Sequence, residues 1–296
     1  MDGILNINKP PGRTSFSVVA MVRKLCRERR VGHAGTLDAM AGGVLPVCVG
    51  KGTRVIEFLM DARKLYRAVI RLGVATDTYD ATGKVIQEGN AAGISREQVE
   101  LALETFCGSI VQTPPMYSAL KYRGQRLYRL ARAGMEIKRE SRPTTVYRIE
   151  LKDFVTTVVT LEVECSRGTY IRSLAHDLGQ MLGCGAHLEH LLRLKYGPFD
   201  IDDAVSLKQF EEGFNNGSWQ KLVYPIDTVL GQWTSVVVGE EQERMIKHGG
   251  SVVIEDIQIE DGVGSRCRAY NRDGYFIAIL YFDPEKRQWQ PEKVFA

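Results

Sequence analysis

Residues 159–183, VTLEVECSRGTYIRSLAHDLGQMLG, change period halfway along. Val159, Leu161, Val163 and Cys165 alternate with Thr160, Glu162 and Glu164, the two-residue repeat of a strand with one buried face. The chain then turns through Gly168, and residues 169–182 read as a helix that stops before Gly183. Such a turn can present Tyr170 and Arg172 from a rigid edge. A plain strand-to-helix connection with a surface arginine would look the same locally. The switch of period shows that strands and helices share this chain.

The same reading extends outward in irregular order. Thr14 or Ser15 caps a helix running to about residue 30, with Val18, Val22, Leu25 and Cys26 on one face. Residues 53–63 read as a second helix. Tyr66, Ala68, Ile70, Leu72 and Val74 then alternate with Arg67, Val69 and Arg71, a strand, and Asp80-Ala-Thr-Gly83 supplies a turn. Ser95 with Gln98 makes a capping box, and Gly108 ends that helix. After Asp227 the character changes. One helix-like stretch, 240–248, is followed by short β-like runs: SVVI (251–254), RCRAY (266–270), YFIAILYF (275–282) and WQPEKVF (289–295). Residues 1–230 are read as one domain and 231–296 as a small, mostly β appended one.

Composition narrows the class. In 296 residues, 44% hydrophobic and 25% charged side chains are ordinary for a globular chain and exclude disordered or fibrous ones. No window approaches the apolar length of a membrane span, and the start, MDGILNINKPPG, carries no secretory pattern. Six cysteines, at 26, 48, 107, 165, 184 and 267, form no CxxC pair, so free thiols in a reducing cytoplasm are expected. Cys184, His187 and His190 lie close in sequence, but surface histidines beside a small buried cysteine explain them without a metal.

Charge is uneven. Residues 121–148 hold nine Lys or Arg against two Glu, and residues 23–30 hold five bases against one acid. Residues 200–296 hold seventeen acids against ten bases. A basic body with an acidic tail suits a polyanionic partner, although a solvated charged face would look alike. Within QTPPMYSALKYRGQRLYRLARAG (112–134), Arg123, Arg126, Arg129 and Arg132 recur every third residue among Tyr117, Tyr122 and Tyr128. Guanidinium groups bind phosphates and tyrosines stack on bases.

The segment VGHAGTLDAMAGGVLPVCVG (31–50) has five glycines and one charged side chain, Asp38. A carboxylate in apolar surroundings needs a cation from elsewhere in the chain. A phosphate-loop reading fails, because Gly50-Lys51 is followed by Gly52 and Leu45 stands where the first glycine belongs. The GxSxG and HExxH motifs are missing too.

KPPGRTS (9–15), GHAGTLDAMAGGVL (32–45), KLYRA (64–68) and CSRGTYIRSLAHDLG (165–179), in this order, resemble the TruB family of tRNA pseudouridine synthases. QTPPMYSALKYRGQRLYRLAR and LLRLKYGPF (191–199) extend the resemblance over about residues 1–230, and the tail is similar to a small RNA-binding PUA-like domain. The resemblance implies an α+β catalytic domain, the pseudouridine synthase fold, with a mixed, largely antiparallel sheet flanked by helices. It implies isomerisation of uridine 55 in the TΨC arm of tRNA, with no metal, nucleotide or organic cofactor; a monomer is the default expectation, in the cytoplasm to which the free thiols point. Asp38 matches the catalytic aspartate, Arg172 its pairing arginine and Tyr66 a tyrosine against the target base. His33 matches a histidine near the flipped-out nucleotides, and Leu191 an apolar wall of the base pocket. Lys9 and Lys64 are expected on phosphates, Tyr170 at the substrate, and Arg123, Arg126 and Arg129 on the T arm. Two departures stand out: Ala39 where the family usually has proline, and Leu191-Leu192-Arg193 where Leu-Arg-Arg is common, which implies one phosphate contact fewer. The rival reading is an RNA-binding protein without catalysis. Retention of Asp38, Tyr66 and Arg172 weighs against it.

Overall fold

The two alternating stretches lie side by side. In the computed structural model, residues 1–254 and 265–295 are described, and Lys64–Leu72 pairs antiparallel with Val158–Cys165, Tyr66 opposite Val163 and Ala68 opposite Leu161. In chain order the long strands of this sheet are β1 (Gly3–Lys9), β2 (Gly42–Val49), β3 (Lys64–Leu72), β4 (Gly108–Gln112), β5 (Arg142–Val155), β6 (Val158–Cys165) and β7 (Ala186–Tyr196). Across the sheet they run β1-β2-β7-β3-β6-β5-β4, with short strands added against β1, β2 and β7, eleven in all. Only β2 with β7, and β1 with residues 205–206, pair in parallel. The sheet is therefore mixed and largely antiparallel.

Seven α-helices flank or extend these strands among the described residues: α1 (Ser15–Cys26), α2 (Ile56–Met60), α3 (Arg96–Glu104), α4 (Leu127–Arg132), α5 (Ile171–Met181), α6 (Leu207–Asn215) and α7 (Glu240–Lys247). Thr14 caps α1 by accepting the Ser17 amide at 3.1 Å. Val18, Val19 and Val22 of α1 and Leu174, Ala175 and Leu178 of α5 enter one core with Leu5, Leu45, Ala68 and Leu161.

Several expected boundaries move. α1 stops at Cys26, short of residue 30, because Arg27 takes a left-handed conformation, φ 52°. Residues 53–63 are not one helix: a 3-10 turn, Gly50–Val55, precedes the five-residue α2. The capping box of Ser95 and Gln98 forms, but α3 ends at Glu104 and Gly108 opens β4 at φ 89°. The basic segment is a hairpin of Lys121–Tyr122 and Gln125–Arg126, then α4, then the start of β5. Of the SVVI run, only Val252 pairs, through one bridge to Trp289.

The tail forms its own sheet of β8 (Thr234–Val237), β9 (Arg266–Tyr270), β10 (Phe276–Asp283) and β11 (Gln288–Val294), in that order. Val238, Ile246, Cys267, Leu280 and Trp289 make its core. Ile279 and Phe295 instead join Ile4, Val44, Cys48 and Tyr196 of the body. Lys51 donates to the Phe295 carbonyl at 2.6 Å, and Phe58 meets Trp233 edge-on at 5.0 Å. The small β unit is thus packed onto the 50–62 face of the larger one.

Candidate active site

Asp38 sits on the loop between residues 31–33 and β2, and the KPPGRTS segment grips that loop from both sides. Lys9 is fully buried, and its ammonium donates to the carbonyls of Arg13 (2.5 Å), Pro10 (3.1 Å) and Ala39 (3.4 Å). Gly12 N donates to Ala39 O at 2.8 Å, and Ser15 Oγ exchanges hydrogen bonds with the Leu37 backbone at 2.9 and 3.1 Å. Hydrogen bonds to their backbones therefore hold both residues that flank Asp38 without a proline ring at 39. This also corrects the expectation for Lys9. A buried ammonium held by three carbonyls does not face an outer phosphate. Burial pushes its pKa down to about 8.

The cation that the isolated carboxylate required is Arg172, on the first turn of α5. Its Nη2 donates to Asp38 Oδ1 at 3.0 Å, and Nε lies 2.8 Å from Asp38 Oδ2, close enough for attraction though not aligned as a hydrogen bond. Nη2 also donates to Tyr117 O (2.8 Å) and Nη1 to Thr78 O (3.3 Å). A second carboxylate, Asp80, lies 3.5 Å from Nη1. Asp80 is buried and accepts from Thr78 Oγ1, Thr82 N and Thr82 Oγ1. Its turn was legible in DATG, but its approach to Arg172 was not, since β7 brings the two together through Asp80–Leu188. The Asp38 side chain keeps 39% exposure, directed into a cleft. Burial lifts its carboxyl above the ordinary carboxylate range. Arg172 pulls against that rise, and Asp80 adds to it.

The cleft has a volume of about 300 Å³, the lower end of the range for small-molecule sites. Asp38, Arg172, Tyr170, Tyr66, Leu191, Lys64, Arg193 and Tyr196 all line it. Tyr66 comes from β3 and Leu191 from β7, adjacent strands, so both stand on rigid support. Arg193, absent from the sequence-based candidates, is fully buried. It donates to Val44 O (2.6 Å), Gly35 O (3.0 Å) and Tyr66 Oη (3.4 Å) and has no carboxylate partner among the described residues. Its guanidinium lies 4.7 Å from the Tyr196 ring centroid, and the Lys64 ammonium 4.5 Å. Lys64 is buried on the carbonyls of Met60 and Ala62, and burial with the Arg193 charge brings its pKa down to about 8. It faces the cleft, not an outer phosphate surface. Burial raises the Tyr66 phenol above its usual range, with Arg193 opposing. One wall of the cleft is thus an ion-paired carboxylate. The other is aromatic and cationic.

The remaining expected residues fall elsewhere. His33 pairs with Val47 at the sheet and lies outside the cleft lining. Its Nδ1 is buried without a partner among the described residues, and burial lowers its pKa. Arg123, Arg126 and Arg129 are exposed on the hairpin and α4, with no acidic partner among the described residues. Among those residues no three of His, Cys, Asp and Glu converge as metal ligands. His187, expected at the surface, is buried and bonded to Val74 O at 2.7 Å, so the Cys184–His190 cluster is dispersed.

Residues 23–171 match the TruB family pseudouridylate synthase N-terminal domain, and residues 172–231 match the tRNA pseudouridylate synthase B C-terminal domain. The chain belongs to the TruB family. Similar relatives named tRNA pseudouridine synthase B include one from Dehalococcoides mccartyi, 43% identical over 295 residues, covering 100% of this chain and 97% of the relative. Another, from Clostridium tetani, is 41% identical over 277 residues, covering 93% of this chain and 94% of the relative. A chain in the crystal structure of a Cbf5–Nop10–Gar1 complex superposes with a TM-score of 0.76 at 27% identity, covering 99% of this chain and 85% of that one. An H/ACA RNP bound to a substrate RNA containing 2′-deoxyuridine gives the same TM-score at 25% identity, with the same coverage. The TruB-type fold, with a small β sheet after the catalytic body, is the one the resemblance implied. No helix is long and apolar enough to cross a membrane among the described residues.

Proposed function

We propose that this TruB-type pseudouridine synthase isomerises the uridine at position 55 in the T arm of tRNA, with Asp38 as the reacting carboxylate. The observation that carries the reading is the placement of Asp38 beside a cleft of one-base size, held by Arg172 and facing Tyr66 and Leu191. The N1–C1′ bond breaks with its electron pair going to N1. The uracil turns, C5 bonds to C1′, the C5 proton leaves, and N1 takes up a proton. Asp38 serves this sequence by attack on ribose or base, or by removing a sugar proton. Tyr66 stacks on the base and assists loss of the C5 proton, and Leu191 closes the apolar side.

The target base must leave its stack, at a cost of roughly a few kcal/mol. Contacts from exposed Arg123, Arg126 and Arg129 to the backbone of the T arm offset that cost. The working unit is a monomer, divided at 230/231 into a catalytic domain and a PUA-like RNA-binding domain. The isomerisation transfers no electrons and no group to a second molecule, so it calls for no cofactor.

The test is pseudouridine formation on an unmodified tRNA transcript in excess EDTA, mapped by position, for wild type and Asp38→Asn. Product at 55 from wild type and none from Asp38→Asn, with equal tRNA binding, is the expected result. A folded, tRNA-binding wild type that yields no product would leave RNA binding alone as the function.

A further inference from the structure

Tyr79 holds a left-handed backbone conformation, φ 64°. For a bulky residue this conformation is strained and persists only where the surroundings over-determine it. Here they do. Tyr79 O accepts from Leu188 N at 3.0 Å, and Ala81 N donates to Leu188 O at 2.9 Å, which fixes the turn to β7 on both sides.

The Tyr79 ring stacks on His176 of α5, with centroids 3.9 Å apart and planes 13° apart. Both sequence neighbours of Tyr79 meet one atom of Arg172. Thr78 O accepts from Nη1 at 3.3 Å, and Asp80 Oδ2 lies 3.5 Å from it. His176 follows Arg172 by four residues, one helical turn, so the two side chains leave the same face of α5. The 78–80 turn is therefore joined to α5 at two points. One is the guanidinium and the other is the ring pair. Neither ring lines the cleft. His176 Nδ1 is buried without a hydrogen-bond partner among the described residues, so it is the ring contact and no bond at Nδ1 that holds this side of the imidazole. Burial also lowers the imidazole pKa, which favours the neutral ring.

On the footing of the reaction assigned above, we propose that the Tyr79–His176 stack is a positioning device for Arg172. It holds the 78–80 turn against α5, and so fixes the guanidinium plane and, through it, the direction of the Asp38 carboxylate. The strained backbone at Tyr79 is kept because it delivers that ring to the stack.

Three variants test this against wild type: His176→Ala, His176→Phe and Tyr79→Gly. The readouts are the single-turnover rate at saturating tRNA transcript, the dissociation constant for that tRNA, and the melting temperature. His176→Ala lowers the rate about 10- to 100-fold, the scale of a small misplacement of reacting groups, with the dissociation constant unchanged. His176→Phe keeps a flat ring in the same place and recovers most of the rate. Tyr79→Gly loses rate like His176→Ala, and glycine's freedom at φ 64° offsets part of the stability lost with the ring. Rates within about twofold of wild type for His176→Ala and Tyr79→Gly would overturn the proposal. So would His176→Phe falling as far as His176→Ala. An inactive wild type would instead overturn the assigned reaction, and the stack's role with it.

Discussion

Replacing Arg172 by methionine keeps much of the buried length of the side chain and removes its charge. The Arg172 side chain is 4% exposed and that of Asp80 6%. Removing one partner of a buried pair leaves the other charge uncompensated, at about 3–5 kcal/mol. Three donors, from Thr78 and Thr82, remain on Asp80, so the lower end of that range applies to it. Asp38, at 39% exposure, is screened and adds about 0–1 kcal/mol. The carbonyls of Thr78 and Tyr117 each lose a donor, about 1 kcal/mol apiece. A loss of roughly 5–6 kcal/mol at pH 8 follows. It is measured by urea unfolding, followed through the fluorescence of Trp219, Trp233 and Trp289. The sign with pH is also fixed. Arg172 pulls the Asp38 carboxyl down against burial, so without the cation Asp38 binds protons still more readily in the folded state than in the unfolded one. Such groups add stability at low pH and lose it as pH rises through the folded pKa, so the deficit shrinks toward pH 5. A deficit under about 1 kcal/mol at pH 8, or one equal at both pH values, would refute the electrostatic account.

Because burial raises the Asp38 carboxyl, the single-turnover rate rises with pH along a limb displaced above the ordinary carboxylate value of about 3.9; a limb at or below that value contradicts it. The same shift means that ionised Asp38 costs stability, so Asp38→Asn is at least as stable as wild type at pH 8 by urea titration. Alanine at Arg123, Arg126 or Arg129 lowers the slope of log affinity against log salt by about 1 each while the rate at saturating tRNA holds, as filter binding across a salt series would report. Gly35→Ala meets two obstacles, φ 61° and a Tyr196 ring atom 2.7 Å from the new Cβ. A stability loss of about 1–3 kcal/mol with a lower single-turnover rate is expected, and a variant indistinguishable from wild type in both would show that the cleft wall yields.

Strands with one solvent face were legible in the chain. At 64–72 the arginines 67 and 71 mark the outer face, and they pair with Glu162 and Glu189 on the adjacent strands. The strand Gly42–Val49 was not legible, because every residue in it is buried and nothing alternates. Its glycines serve close approach: a Cβ on Gly43 would collide with the Arg193 carbonyl oxygen. Asp38 and Arg172 could be paired only through the family resemblance, since 134 residues separate them. Asp80 and Arg193 escaped because local sequence does not show burial. An Asp in a turn and an Arg in a basic context both read as surface residues until the sheet closes over them. Lys9 and Lys64 misled for the same reason. Their neighbours supply carbonyls that tie the ammonium groups inward.

The route of the first strand has a consequence for how this chain is made. β1 completes its pairing only with residues 205–206 and 223–224. At roughly 5–20 residues per second, on the order of 10–40 s pass between synthesis of β1 and arrival of its last partner. Throughout that interval Ile4, Leu5 and Ile7 have β2 on one side and an open edge on the other. Closure of so distant a contact is slow, and the waiting edge is a template for wrong pairing. The nascent chain therefore carries an open edge through most of its synthesis, until after the last residue of the cleft lining, Tyr196, has been made.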